Sequence, residues 1–367
     1  MKRLLAALLF GLSAPLALAQ IVVGQTSGFT GPVAAGAKEN TDGAKLYIDH
    51  VNANGGVHGQ KIELVSLDDG FDPKRAADNA KKLITEHNAL ALFLTRGTPH
   101  TQAILPLLKE HKIPLVAPST GAMLLHDPVD PWLFNVRAPY QREAERAVQQ
   151  LTATGVSRIG VAHVDDSFGA DAAIGAMRGF DKARLRAAFV LKFKREKPDL
   201  ATIVNGVIKL DLQALIMIGA ADAVAAVTRE LRMKGARATV VTLSNNASSG
   251  FIKQLGDHGR GTIVTQVFPN ERAVGVPLVK EATALAQAKG LGELTPQMLE
   301  GFAGAKVLVE GLKRAGKGPT RQRLRDALEG MGKVDLGGLE VSYSAKSHSG
   351  LDYADVSIIG PDGRFQR

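Results

Sequence analysis

The fold of this chain is indicated by residues 91–117, which read ALFLTRGTPHTQAILPLLKEHKIPLVA. Two short apolar runs, Ala91 to Thr95 and Pro114 to Ala117, have the length and composition of buried strands. Between them, Pro99 to His111 has the apolar periodicity of a helix. A strand, a helix and a second strand in this order predict a parallel βαβ unit.

The same alternation of strand and helix extends along most of the chain. Further strands are predicted at Ile21 to Gly24, Ile62 to Asp68, Ile159 to Val164, Ala187 to Phe193, Ala214 to Ile218, Thr239 to Leu243 and Thr262 to Val267. Further helices are predicted at Ala34 to Asn54, Pro73 to Glu86, from near Gln141, Ala170 to Lys182, Leu200 to Lys209 and Ala221 to Lys234. Because the pattern restarts after the strand-like stretch Phe134 to Pro139, it predicts two similar doubly wound α/β lobes.

The C-terminal part is predicted to be mainly helical and to pack on the first lobe. Helices are expected at Val276 to Lys289, Met298 to Ala315 and Arg321 to Gly330, with no strand among them. Two strands then follow at Leu339 to Tyr343 and Ala354 to Ile359, and a tight turn precedes a last short strand.

These junctions predict how the chain divides between the lobes. The first lobe is expected to contain residues 20–137 and 269–340, and the second residues 138–268 and 341–367. Several chain crossings between the lobes follow from this division, and we expect them to act as a hinge.

Residues 1–19 have the three parts of a secretory signal peptide. Lys2 and Arg3 form the positive start, Leu4 to Leu18 the apolar region, and Ala17-Leu18-Ala19 the cleavage site. The alternative, a transmembrane anchor, is disfavoured because the apolar run is shorter than the roughly 20 residues that span a bilayer. The mature protein is therefore expected in the periplasm.

Composition excludes several function classes. The formal charge of +9 becomes 9 − 2 = +7 once Lys2 and Arg3 are removed, but the basic residues are dispersed and aromatic residues are only 5%, so no nucleic-acid partner is expected. The basic surface has two explanations, simple solvation or attraction to anionic ligands and a membrane partner. The chain has no Cys, which excludes disulfides, thiolate metal sites and thiol nucleophiles.

Motifs for catalysis were not found, and no cofactor or metal is expected. The stretch 311–318 resembles a phosphate loop but ends in Gly and follows a helix. The acidic stretch Asp68 to Asp72 lacks the alternating spacing and distal Glu of a calcium loop. Metalloprotease and serine-hydrolase signatures are also missing, so the sequence predicts a protein that is not an enzyme.

Small polar residues are frequent in the loops that follow predicted strands, where open parallel sheets bind ligands. These loops are Gln25 to Pro32, Arg96 to Thr101, Ala117 to Ala122, Asp165 to Gly169, Gly219 to Asp222 and Ser244 to Ser248. Thr98 is predicted to cap a helix that begins at Pro99. Helix N-termini and hydroxyls on neighbouring loops predict a carboxylate site, although Ser and Thr in these places also occur simply as caps.

Motifs along the chain together resemble the periplasmic substrate-binding proteins of the leucine/isoleucine/valine type, which serve ABC importers. The residues that carry the resemblance are Gly31 to Ala34, Ile48 to Gly59, Asp68-Asp69 with Asp72-Pro73, Thr98 to Gln102, Ile113 to Ser119 and Asp166 to Gly169. The resemblance covers the entire mature chain. It implies the type I periplasmic binding fold, with two lobes joined by a three-crossover hinge, a ligand in the cleft and a membrane permease as partner.

The resemblance also implies a set of ligand-binding residues. Thr98, Ser119, Thr120 and Gly121 match the positions whose hydroxyls and backbone N–H groups hold the ligand carboxylate in the family. Phe168 matches an aromatic residue that closes over the ligand.

Two positions depart from the amino-acid binders of the family. Asn245 and Asn246 stand where a carboxylate is usual, and Ala220 or Ala221 where an aromatic is usual. An ammonium group would then lack its most obvious counter-charge, and burying it unpaired is costly.

Two ligand classes therefore remain open. Asp165, Asp166 or Asp222 could supply the missing counter-charge to an amino acid, branched-chain or other. Alternatively, the ligand is an aromatic or aliphatic carboxylate without an amine.

The expected mechanism is closure of the two lobes on the ligand, which shifts the population toward a closed state that the ABC permease recognises. The protein is expected to act as a monomer. Two other classes remain, a ligand-sensing partner of a membrane receptor and a cleft enzyme, although the sequence shows no nucleophile and base for the latter.

Overall fold

The computed structural model describes residues 20–366, and the expected signal peptide at residues 1–19 lies outside them. Residues 20–366 form two mainly parallel sheets and a two-stranded antiparallel ribbon. In this part of the chain, no helix has the length and apolar character needed to cross a bilayer.

The first sheet has the strand order β2-β1-β3-β4-β5, and all its strand pairs are parallel. Its strands are β1 Ile21–Ser27, β2 Ile62–Asp68, β3 Ala91–Phe93, β4 Leu115–Val116 and β5 Leu133–Phe134. Short apolar strands of this kind are typical of a parallel sheet that is covered on both faces.

Successive residues of these strands point into different cores. Phe93, Val116 and Phe134 pack on one face, whereas their neighbours Leu92, Leu115 and Leu133 pack on the other. The first face is covered by helices α1 Ala34–Ala53, α9 Pro277–Ala288, α10 Pro296–Ala315 and α11 Arg321–Glu329. The second face is covered by α2 Pro73–Thr85 and α3 Thr98–His111. This alternation is expected, because successive side chains of a pleated β-strand point to opposite faces of the sheet.

The second sheet has the order β14-β13-β10-β9-β8-β6-β7. Its parallel part contains β6 Ile159–Val164, β7 Val190–Phe193, β8 Ala214–Ile218, β9 Thr239–Thr242 and β10 Ile263–Gln266. The antiparallel edge contains β13 Asp355–Ile359 and β14 Phe365–Gln366. The associated helices are α4 Tyr140–Ala153, α5 Ser167–Ala183, α6 Leu200–Lys209, α7 Ala221–Met233 and α8 Ser249–Leu255.

Within residues 20–366 the chain passes between the two sheets three times, after β5, after β10 and before β13. The sheet-and-helix lobes and the three crossovers agree with the fold class expected from the sequence. The ligand-binding loops of a doubly wound fold lie at the carboxyl ends of its strands, and here segments that follow strands of both sheets meet between the lobes.

One expected boundary differs from the structure. Strands β11 Gly332–Asp335 and β12 Glu340–Tyr343 form the antiparallel ribbon. The ribbon packs on the first core through Val341 and Tyr343, and Leu351 joins the same core. The Tyr343 hydroxyl also donates to the Asn135 carbonyl at 2.6 Å. Residues 341–351 therefore accompany the first lobe, although the sequence analysis assigned them to the second.

The ribbon also contains a strand that the sequence analysis did not expect. β11 reads GKVD, which offers a single large apolar residue and no alternation long enough to indicate a strand. Its partner β12 supplies the pairing, so tertiary context determines this element.

Helices α1 and α10 cross with their backbones in close contact. A Cβ on Gly301 of α10 would lie 1.8 Å from the Asn40 carbonyl oxygen, and one on Gly43 of α1 would lie 1.9 Å from the Met298 carbonyl oxygen. Glycine is therefore required on both helices for this packing, which covers one face of the first sheet.

We predict that Gly301→Ala destabilises the protein by about 2 kcal/mol or more, because overpacking against backbone outweighs the better helix propensity of Ala. The free energy of unfolding from denaturant titration measures this. Gly292→Ala is the matched control, since a Cβ there meets nothing within 4 Å. Equal stability of the two variants would contradict the packing argument.

Candidate functional site

A cavity lies between the lobes, where the loops after the strands of both sheets meet. The first lobe contributes Val33, Phe71, Arg96, Gly97, Thr98 and Ser119, and the crossover region and second lobe contribute Tyr140, Phe168, Arg195, Ala220 and Asn245. The volume is about 30 Å³, room for one or two water molecules. The lobes are therefore close together in this conformation.

Five of the residues proposed from the sequence border this cavity: Thr98, Ser119, Phe168, Ala220 and Asn245. Each follows a different strand of the two sheets, either in the loop after the strand or at the start of the next helix. The structure thus brings together the loops that the sequence analysis singled out.

Thr120 and Gly121 do not border the cavity. The Thr120 hydroxyl is 2.7 Å from the Thr98 hydroxyl, and the Gly121 carbonyl accepts a hydrogen bond from the Tyr140 backbone N–H at 2.7 Å. A Cβ on residue 121 would lie 2.6 Å from the Ala138 carbonyl oxygen. Both residues therefore support the cavity wall from behind.

The N-cap expected at Thr98 is wrong. Helix α3 begins at Thr98, and its N-cap is Gly97 with φ +94°. Gly97 has no side chain, so no side-chain oxygen caps α3 and the Thr98 hydroxyl is free to contact Thr120.

Arg96 is the charged group that the sequence analysis overlooked. Its guanidinium is buried and donates to the Ser119 hydroxyl at 3.2 Å and to the Gln297 side-chain oxygen at 2.7 Å. A third bond reaches across the cleft to the Asn245 carbonyl at 2.8 Å. Among the described residues, no carboxylate lies within ion-pairing distance, 4.0 Å, of Arg96.

Burial lowers the pKa of Arg96, and Glu300 is the largest of the charges that oppose this effect. An arginine still remains protonated at neutral pH, because its ordinary pKa is above 12. The cavity wall therefore carries a positive charge that only neutral groups contact directly.

A second buried arginine, Arg137, lies behind the cavity and is paired. It forms an ion pair with Glu143 and donates to the Ser244 hydroxyl at 2.8 Å. Burial alone would lower the pKa of Arg137, but Glu143, then Tyr140 and Glu300, raise it. The charge of Arg137 is therefore balanced within the protein by Glu143.

The acidic residues offered as counter-charges for an ammonium group are engaged elsewhere. Asp166 caps α5 through the N–H groups of Phe168 and Gly169 and pairs with Arg195. Asp165 lies 3.1 Å from Lys192, and Asp222 accepts from the backbone N–H of the next residue at 2.8 Å. No carboxylate is present among the described residues that border the cavity.

Aromatic rings form much of the remaining wall. Phe71 stacks on His100 with ring centroids 4.2 Å apart, and the Arg195 guanidinium lies 5.0 Å from the Phe71 centroid. Burial lowers the pKa of His100 to about 4, so this imidazole is neutral at pH 7. Phe168 meets Tyr140 edge to face at 4.7 Å. The walls are therefore apolar apart from the arginines, the hydroxyls and the Asn245 side chain.

Tyr140 and Asn245 are two further polar residues that border the cavity. The Asn245 side-chain oxygen has no hydrogen-bond partner within residues 20–366. Burial raises the pKa of Tyr140, which keeps its hydroxyl protonated as a donor. In the same part of the chain no group of three or more metal-ligating side chains comes together.

Little in the sequence indicates that Arg96, Tyr140 and Arg195 border the cavity. Arginines in strand-end loops most often lie on the surface, and their direction depends on packing between the lobes. Tyr140 follows a proline at the first crossover, where no motif marks a ligand contact.

The turn that carries Phe71 contains an unusual carboxyl group. Asp69 is fully buried, accepts from the Phe71 N–H at 2.9 Å and from the Thr26 hydroxyl at 3.0 Å, and has a pKa of about 6. Burial raises this pKa, and the two hydrogen bonds oppose the rise only in part.

We predict that the free energy of unfolding of Asp69→Asn increases relative to that of the wild type as the pH rises from about 4 to 6. In the wild type, the native state holds the Asp69 proton more tightly than the unfolded state. The stabilisation from protonated Asp69 is therefore complete at low pH and is lost as the pH rises through 6. Denaturant titrations at pH 4, 5, 6 and 7 measure the difference from the wild type. Asp78→Asn, on the exposed surface of α2, is the matched control, and parallel pH curves for Asp69→Asn and the wild type would contradict the prediction.

Known proteins resemble this chain over nearly all of its length. The sequence profile of the family described as periplasmic binding protein matches residues 20–357. The Leu/Ile/Val-binding protein BraC3 of Rhizobium johnstonii is 24% identical, covering 92% of this chain and 93% of that protein.

Solved structures show the same likeness. A substrate-binding periplasmic protein from Ralstonia solanacearum is 31% identical with a TM-score of 0.87, covering 95% of this chain and 99% of that one. A possible leucine/isoleucine/valine-binding protein from Rhodopirellula baltica is 25% identical with a TM-score of 0.88, covering 97% and 98%.

Proposed function

This chain belongs to the periplasmic binding protein family, and from that premise we propose that it is the exported solute-binding component of an ABC importer. Like the members of its family and its relatives, it is a binding protein and not an enzyme. It captures a small carboxylate-bearing ligand in the interlobe cleft, acts as a monomer and presents the closed form to a permease in the inner membrane.

The observation that carries the proposal is the buried guanidinium of Arg96. It borders the cavity, contacts both lobes and has no ion-pair partner among residues 20–366. Buried charges are normally paired, because leaving one unpaired costs several kcal/mol. A ligand carboxylate would supply the missing negative charge through charge-assisted hydrogen bonds.

We further propose that the ligand lacks an amine. Every carboxylate that the sequence offered near the cleft is either capping a helix or bonded to another group, and none borders the cavity. An ammonium group would therefore enter a cavity whose charged residues are arginines. A 2-oxo acid or an aromatic acid has the complementary charge without this cost.

The second candidate is an amino acid. It is favoured by the names of relatives, which are Leu/Ile/Val-binding proteins, and by the Asn245 side-chain oxygen, which could accept one ammonium N–H. A neutral acceptor does not replace a counter-charge, so we rank this candidate second.

Ligand capture requires the lobes to separate and close again. The cavity of about 30 Å³ has room for one or two water molecules and is too small for a leucine-sized molecule. We infer that the described conformation is a closed one and that the three crossovers permit opening. A ligand that contacts both lobes then shifts the population toward closure.

The test uses ligand pairs that differ only at the amine position. Isothermal titration calorimetry on the stripped mature protein compares L-leucine with 4-methyl-2-oxopentanoate and L-phenylalanine with phenylpyruvate. We predict that only the oxo acids bind. Binding of the amino acids alone would support the second candidate and contradict the first.

We predict that Arg96→Gln weakens binding of the accepted acid by at least about tenfold, because a charged hydrogen bond contributes about 1.5–3 kcal/mol. Calorimetric titration of the variant measures the loss. Arg237→Gln removes the same charge from an exposed position and is the matched control. Unchanged affinity of Arg96→Gln would contradict the role given to this residue.

A sensing role would show the same binding. It is separated from transport by measuring uptake of the labelled ligand in cells with and without the permease. Uptake that depends on both the binding protein and the permease supports import, whereas uptake unaffected by loss of the binding protein supports a sensing role.

A further inference from the structure

We propose that Glu39 is a positioning residue that holds the two lobes closed from outside the ligand cavity. It lies on α1 of the first lobe and reaches the start of α8 in the second. The consequence for ligand affinity rests on the proposed function, whereas the effect on closure does not.

The contact consists of charge-assisted hydrogen bonds. The Glu39 carboxylate accepts from the Ser249 hydroxyl at 2.5 Å, from the Ser249 backbone N–H at 3.2 Å and from the Gly250 backbone N–H at 3.3 Å. The first N–H groups of a helix have no partner within the helix. Ser248 caps only the Phe251 N–H, at 3.1 Å, so Glu39 satisfies donors that the second lobe does not satisfy itself.

Other first-lobe side chains reach the same part of the second lobe. Arg96 donates to the Asn245 carbonyl at 2.8 Å, and Gln297 donates to the Ser244 carbonyl at 2.7 Å. All three side chains thus meet the 244–250 segment. Arg96 borders the cavity, but Glu39 does not, so Glu39 affects closure without touching the ligand.

The backbones approach closely at this point. A Cβ on Gly250 would lie 2.2 Å from the Ala35 Cβ. Contacts this tight form only when the lobes are together, so opening separates Glu39 from α8 and returns both to water. These hydrogen bonds therefore stabilise the closed state relative to the open state.

The absence of Cys from the sequence makes a direct test of closure possible. Lys81 on α2 and Arg229 on α7 are exposed in different lobes. Spin labels attached to the double variant Lys81→Cys/Arg229→Cys report the distance between the lobes of the ligand-free protein, measured by pulsed electron paramagnetic resonance. We expect Glu39→Gln to move the distribution toward longer distances, while Glu63→Gln, an exposed glutamate of the same lobe, leaves it unchanged.

Gly250→Ala is a second variant that keeps all charges. Its methyl group should prop the lobes apart and lengthen the distance in the same way. Thermal unfolding followed by circular dichroism verifies that each variant is folded. A distance distribution for Glu39→Gln that matches the wild type, or an equal shift in Glu63→Gln, would overturn the proposal.

Affinity is measured with L-leucine and 4-methyl-2-oxopentanoate. We expect Glu39→Gln to weaken binding of any probe that binds the wild type by about tenfold. If both probes bind, the factor should be the same for both, because the substitution changes only the fraction of protein in the closed state. A change in the ratio of the two affinities would contradict a role confined to closure. If neither probe binds the wild type, the ligand proposal fails while the distance measurement still decides the role of Glu39.

Discussion

The buried ion pair between Arg137 and Glu143 is the interaction on which the cleft depends. Arg137 lies in the first crossover, and Glu143 lies one turn into α4. The Glu143 carboxylate also accepts from the Ser244 N–H at 2.9 Å and from the Thr265 hydroxyl on β10. One pair therefore joins a crossover, a helix, a strand and the start of the 244–250 segment. Removing Arg137 would leave the buried Glu143 carboxylate uncompensated, at a typical cost of 3–5 kcal/mol.

The two buried arginines have different roles because their surroundings differ. Arg137 has a carboxylate in direct contact, so its charge belongs to the structure. Arg96 is held by a hydroxyl, an amide and a carbonyl, which fix its orientation without neutralising it. The protein thereby keeps a positive charge ready at the junction of the lobes. In the proposed mechanism, closure brings the 244–250 segment against this charge, so that the ligand and the lobe contacts stabilise the same closed state.

The architecture was predictable from the sequence, and the orientation of individual polar side chains was not. Strand β2 and helix α6 have the bounds expected from their apolar patterns. The ribbon strand β11 and the short helix α8 were not expected, because four and seven residues carry too little periodicity. Five of the site residues proposed from the sequence border one cavity, since strand ends determine where their segments meet. Arg96 escaped notice because burial of a charge depends on contacts 149 and 201 residues away in the chain.

We propose above all that Arg96 binds a ligand carboxylate in a cavity whose described lining residues offer no carboxylate to an ammonium group. A crystal structure of the protein with its tightest-binding acid tests this most directly. We predict a ligand carboxylate oxygen about 3 Å from an Arg96 guanidinium nitrogen, with hydroxyls of Ser119 or Tyr140 nearby. A ligand whose carboxylate lies elsewhere while Arg96 still donates to Asn245, or whose ammonium group contacts a carboxylate, would contradict it.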